Sequence, residues 1–186
     1  KGREGYGISY YRNEGTRTSP NYVEIWGTNN PFRLSGGGLG YQGVPVLVDL
    51  DGDRDLDLLS GTSHGSVGLL INLGTSTNPS FANPSLAENY FSDFRVEGYS
   101  SVSPGDLDGD GDLDLILGSV NGELLLLRNV GTNSAPVLIP PVKETNPLGG
   151  YDFGDRAVSA SVAFREYGYR DLQGIAVGKA DGTIDF

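Results

Sequence analysis

An internal repeat constrains this chain more than any other feature. The stretch Gly65-Ser66-Val67-Gly68-Leu69-Leu70-Ile71-Asn72-Leu73-Gly74-Thr75 returns as Gly122-Glu123-Leu124-Leu125-Leu126-Leu127-Arg128-Asn129-Val130-Gly131-Thr132, 57 residues on, and Pro79 and Pro136 keep that offset. The same segment opens the chain as Gly7-Ile8-Ser9-Tyr10-Tyr11-Arg12-Asn13-Glu14-Gly15-Thr16, with Pro20 following. It begins once more at the end, as Asp181-Gly182-Thr183-Ile184-Asp185-Phe186. Self-similarity at a fixed period means one supersecondary unit stacked on copies of itself.

Each unit reads as strands. A short strand (Val44–Val48, and near Val102 in the next unit) enters an aspartate-rich loop, and a second strand leaves it (Leu56–Ser60; Leu113–Gly118). His64-Gly65 and Asn121-Gly122 are hairpin-type turns. A third strand runs to an Asn-x-Gly-Thr turn, and a fourth follows the proline, most clearly at Tyr22–Trp26. No segment sustains helical periodicity. Four antiparallel strands per repeat predict an all-β chain of β-propeller blades, about three of them. The rival, a β-sandwich, does not require a fixed period. The units fall approximately at 1–40 (the end of one blade), 41–98 and 99–156 (blades with an acidic loop) and 157–186 (the start of another). Propellers close with typically 4–8 blades. The expectation is therefore a segment of a larger propeller, or one that closes against another chain.

Composition narrows the partners. A formal net charge of −11 disfavours nucleic acid and anionic membrane surfaces. No stretch is apolar enough to span a membrane, and no signal-peptide pattern stands at the start. With no Cys, disulfides, thiolate metals and cysteine catalysis are excluded. The chain has no Met, which points to a processed chain or an excerpt.

The acidic loops carry the chemistry. Asp106-Leu107-Asp108-Gly109-Asp110-Gly111-Asp112-Leu113-Asp114 places five aspartates at alternate positions, and Asp49-Leu50-Asp51-Gly52-Asp53-Arg54-Asp55-Leu56-Asp57 repeats them. Like charges this close repel, no lysine sits among them, and hard oxygen donors packed this densely suit Ca²⁺. Two bound ions would bring the net charge from −11 to −7. Gly52 and Gly109 permit a sharp turn, and Leu56 and Leu113 alternate with the acids and can point inward. An EF-hand is excluded, because the twelfth residue is Ser60 or Leu117 and not Glu. A merely solvated acidic turn does not explain five acids kept in register twice. A third copy, Arg165–Gln173, has lost the acids at its first, third, fifth and ninth positions and is expected to fold without metal.

These repeats resemble the FG-GAP/VCBS family, which includes the integrin α-subunit propeller. Val48–Gly61, Gly105–Gly118 and the Asn-x-Gly-Thr-x(4)-Pro turns at Asn13, Asn72 and Asn129 carry the resemblance. It implies one Ca²⁺ per loop, held by side chains at positions 1, 3, 5 and 9 and the carbonyl at position 7. In this chain those are Asp49, Asp51, Asp53 and Asp57 with the carbonyl of Asp55, and Asp106, Asp108, Asp110 and Asp114 with the carbonyl of Asp112. The resemblance also implies adhesion or assembly outside the cytosol.

Other residues weigh less. His64 is the only histidine and makes neither a zinc site nor a triad. Asn13, Asn72 and Asn129 read as structural turn residues. Tyr10, Tyr11, Tyr22, Trp26 and Tyr151 offer a sugar-stacking surface or, more simply, packing between blades. Three functions follow: a non-catalytic calcium-stabilised module for protein–protein binding, a glycan-binding propeller, or the propeller scaffold of a polysaccharide-active enzyme. The acids outside the loops show no catalytic pairing.

Overall fold

The computed structural model describes residues 8–33, 39, 43–84, 91, 93–139, 148–149, 157–165, 173–179 and 183–185. Among these the chain is all-β, with a single 3-10 turn at Gly27–Asn29 and no α-helix. A hairpin comes first, β1 (Tyr10–Asn13) and β2 (Tyr22–Ile25). Two four-stranded sheets follow: β3 (Pro45–Val48), β4 (Asp57–Gly61), β5 (Val67–Asn72) and β6 (Phe81–Ala82), then β7 (Ser100–Gly105), β8 (Asp114–Ser119), β9 (Leu124–Asn129) and β10 (Leu138–Ile139). The last sheet has β11 (Ala157–Arg165), β12 (Gln173–Lys179) and β13 (Ile184–Asp185). Every strand pairs antiparallel with its sequence neighbour, so each sheet is a meander of the blade type. The sheets form part of a propeller, and the described residues do not close a ring. Pro45 and Pro104 lie on β3 and β7, both sheet edges, where a missing N–H breaks no ladder.

The period-2 geometry of a strand explains how the second sheet is covered on both sides. Leu115 and Leu117 of β8 and Leu127 of β9 join Leu59, Val67, Leu69 and Val102 in one core, between the two full sheets. Ile116 and Leu124, one position out of phase, join Val177 of β12 in a second core. Continuous apolar runs such as Leu115-Ile116-Leu117 and Leu124–Leu127 are what a doubly covered sheet demands.

Polar bonds lock the seam between the full sheets. Thr62 N donates to Ser100 Oγ at 2.8 Å, Ser100 N to Thr62 O at 2.9 Å, and Val96 N to Gly65 O at 3.0 Å. The chains approach so closely that only glycine fits. A Cβ on Gly65, whose φ is +77°, would lie 1.8 Å from the Val96 carbonyl oxygen.

The Asn-x-Gly-Thr turns are structural, for a reason visible three times. Asn72 Oδ1 accepts Gly74 N at 3.0 Å and Ser80 N at 2.8 Å. Asn13 Oδ1 does the same for Gly15 and Asn21, and Asn129 Oδ1 for Gly131 and Val137. The threonine hydroxyls of Thr16, Thr75 and Thr132 each accept the N–H three residues on. His64 lies exposed in its turn beside the Ser63 hydroxyl.

Strands β4 and β8 begin at Asp57 and Asp114, one residue later than the sequence pattern suggests. Leu56 therefore still belongs to the loop. It does not point inward: it is 48% exposed, on the rim of a cavity of about 190 Å³ that Tyr10, Phe32, Leu47 and Phe81 also line. Leu113 is half-buried.

Seam and loop glycines should respond differently to substitution. Gly109→Ala, at φ +82° with open space around it, is expected to cost only left-handed backbone strain, about 1–2 kcal/mol. Gly65→Ala adds a clash with backbone and should cost about 2–5 kcal/mol. Urea unfolding in chelator measures both; equal costs would contradict the close seam.

Candidate metal centre

Each acidic loop is folded first by its own backbone. Asp49 Oδ1 accepts Gly52 N at 2.8 Å and Oδ2 accepts Arg54 N at 3.0 Å. Asp106 repeats this with Gly109 N at 2.8 Å and Gly111 N at 3.1 Å. Asp51 and Asp53 accept the N–H groups of Asp53 and Asp55, and Asp108 and Asp110 those of Asp110 and Asp112. These bonds offset part of the repulsion among the acids. Two residues per loop must take positive φ: Gly52 and Arg54 in the first, Gly109 and Gly111 in the second.

The ninth aspartate is the most buried acid of each loop. Asp57, 1% exposed, accepts Leu50 N on Oδ2 at 3.0 Å and Asn72 N on Oδ1 at 2.8 Å. Asp114, fully buried, accepts Leu107 N at 2.9 Å and Asn129 N at 2.8 Å. Each ties the loop entrance to the far end of the third strand of its sheet.

The structure converges some of the expected ligands. Carboxylate oxygens of Asp49, Asp51 and Asp53 lie within 4.8 Å of one another, and so do those of Asp106, Asp108 and Asp114. Donors at about 2.3–2.6 Å from a Ca²⁺ ion span up to about 5 Å across it, so both all-oxygen sets fit a hard cation. Asp57 is not in the first cluster, and Asp110 is not in the second. The seventh acids turn elsewhere. Asp55 is buried, and its Oδ1 has no hydrogen-bond partner. Asp112 Oδ1 instead accepts Asn133 N at 2.9 Å. The third loop lies outside the described residues except at its ends. There Arg165 itself pairs with Gln173, whereas Val48 and Gly105, one residue ahead of their loops, pair with Asp57 and Asp114. The third connection is thus one residue shorter.

Charge and burial leave different imprints on the two loops. Burial pushes the carboxyls of Asp51, Asp55 and Asp114 up, and neighbouring acids add to it. Burial likewise raises Asp57 to about 6, against the pull of the Asn72 and Leu50 N–H groups. Asp108 moves down, because Arg128 hydrogen-bonds it.

Two residues escaped the sequence pattern. Arg128 on β9 pairs with Asp108 Oδ2. Asn133 clamps the second loop through Leu113 N at 2.8 Å and Gly111 O at 3.1 Å, besides Asp112. Their counterparts 57 residues earlier are Ile71 and Ser76, and that mismatch is the only signal the sequence carried. Of the aromatic candidates, Tyr10 packs edge-on to Phe32, with ring centroids 5.6 Å apart. Tyr11, Tyr22 and Trp26 are exposed, and Tyr151 lies outside the described residues.

Residues 49–117, from the first acid of the first loop to the middle of β8, match the family described as the FG-GAP-like repeat. No curated protein matches the chain significantly.

The raised Asp57 makes a pH prediction for the metal-free chain. Folded Asp57 keeps its proton to a higher pH than the unfolded residue does, so the folded state binds more protons between the ordinary value of 3.8 and about 6. Stability then falls as pH rises through that window. Urea unfolding in chelator at both ends of the window should show the fall, and Asp57→Asn should flatten it. An unchanged slope in the variant would contradict the assignment.

Proposed function

From the premise that residues 49–117 are an FG-GAP-like repeat, we propose that this chain is a non-catalytic, calcium-stabilised propeller module. It acts through protein–protein contacts, in adhesion or structural assembly outside the cytosol. The observation that carries this reading is the duplication itself. A three-acid oxygen cluster recurs on the same strand–loop–strand frame, with the same backbone bonds around it. A reaction centre has no reason to recur sheet after sheet, whereas a staple does. The cation neutralises acids that burial and mutual repulsion leave strained, and millimolar extracellular calcium keeps such loops filled.

Calcium should therefore raise stability. At free Ca²⁺ one hundred times Kd, each site adds about 2.7 kcal/mol, which for a chain of this size raises Tm by roughly 5–10 °C. Thermal melts with and without chelator, with metal analysis of the purified protein, test this. An unchanged Tm and no bound metal would overturn it.

A second reading draws on one observation. The pairing of β1 with β2 puts Tyr11 and Tyr22 on one face, Trp26 follows β2 directly, and all three are exposed. Flat aromatic surfaces of this kind stack on sugar rings. Binding on a glycan array that Trp26→Ala abolishes, at an unchanged Tm, would favour it. No binding by the parent chain would remove it.

A further inference from the structure

The two acidic loops are equivalent in sequence but not in their surroundings. In the second, the guanidinium of Arg128 reaches across from β9 and holds Asp108 Oδ2, while Asp108 Oδ1 faces the N–H of Asp110 at 3.3 Å. Both oxygens of one of the three clustered acids are thus engaged. In the first loop, the residue at the position of Arg128 is Ile71, which packs partly buried against the core between the full sheets. Among the described residues, Asp51 has no ion-pair partner. One cluster is open and the other already holds a tethered cation.

We propose that Arg128 competes with the metal for Asp108, so that the two loops fill in order, Asp49–Asp57 first and Asp106–Asp114 second. The inference rests on the calcium reading given above. A metal entering the second loop must displace the guanidinium from Asp108 or bind beside its positive charge. A +1 charge about 5 Å from a +2 ion in a water-like dielectric weakens binding on the order of tenfold. The pair is partly exposed, with Arg128 more than half accessible, so salt narrows the gap by screening. The second site becomes the calcium-responsive one: it empties first as calcium falls, while the first loop keeps its sheet intact.

Calorimetric titration of the full chain with Ca²⁺, at low ionic strength and neutral pH, reads this directly. The parent chain should show two classes of site differing about tenfold in Kd. Arg128→Ile, which installs the residue of the first unit, should tighten the weaker class until the two merge. Ile71→Arg is the reciprocal variant and should weaken the tighter class by a similar factor. It also keeps the test alive if Arg128→Ile fails to fold, which a melt in chelator reports. Equal affinities in the parent chain, or unchanged affinities in both variants, would overturn the proposal. No calcium binding by the parent chain would instead overturn the calcium reading, and this inference with it.

Discussion

A buried carboxylate that accepts two backbone N–H groups holds each full sheet to its acidic loop. Asp57 joins Leu50 at the loop entrance to Asn72 at the end of β5, and Asp114 joins Leu107 to Asn129 in the same way. The side chain of each asparagine then folds the following turn, by accepting two further N–H groups. The chain of bonds thus runs from loop to strand to turn, through two residues per unit. The ninth position needs an acceptor oxygen facing each of two N–H groups, which a carboxyl supplies. An asparagine there would turn an NH₂ group toward one of two donors and leave that donor unpaired in the interior. The fold requires these aspartates before any metal is considered. Burial of their charge is the reason the loops favour a cation nearby.

The same frame tolerates different loop interiors. The first loop has Arg54 at positive φ where the second has Gly111. It buries Asp55 with one oxygen unpaired, where the second gives Asp112 to Asn133. Asn133 also meets the neighbouring unit, because a Cβ on Gly52 would lie 3.5 Å from the Asn133 Cβ. The first loop therefore abuts the turn that clamps the second. The loops belong to the seam between sheets as well as to their own hairpins.

How much of this was legible follows from what repeats. The all-β class, the strand order within a unit and the structural role of the Asn-x-Gly-Thr turns depend on periodicity and turn chemistry, and both recur at a 57-residue offset. The loop acids were legible as a set for the same reason. Their division of labour was not, because five aspartates look alike in sequence, while burial separates Asp57 and Asp114 from Asp53 and Asp110. Leu56 misled because alternation along a strand was extended one residue into a loop, where the pleat no longer sets direction. Arg128 and Asn133 were invisible because they act across the hairpin, 20 and 21 residues from Asp108 and Asp112, and no local pattern encodes that contact.

The hairpin β1–β2 shows how the same repeat positions can carry a different surface. Tyr11 occupies the position held by Leu70 in the next unit and Leu127 in the one after, and both leucines are fully buried. Tyr22 corresponds to Phe81 and Leu138, which are half-buried; Phe81 packs on Phe32, with centroids 4.7 Å apart, and Leu138 on the core between the full sheets. The repeat therefore assigns these two positions to packing, yet here they carry exposed tyrosines, which combine a large apolar body with a polar tip. Aromatic residues with polar tips suit a surface that must be stable both exposed and covered. Acids and asparagines hold each sheet in shape by the same bonds, whereas the apolar positions of the repeat change character in the first hairpin, where they carry exposed aromatic residues.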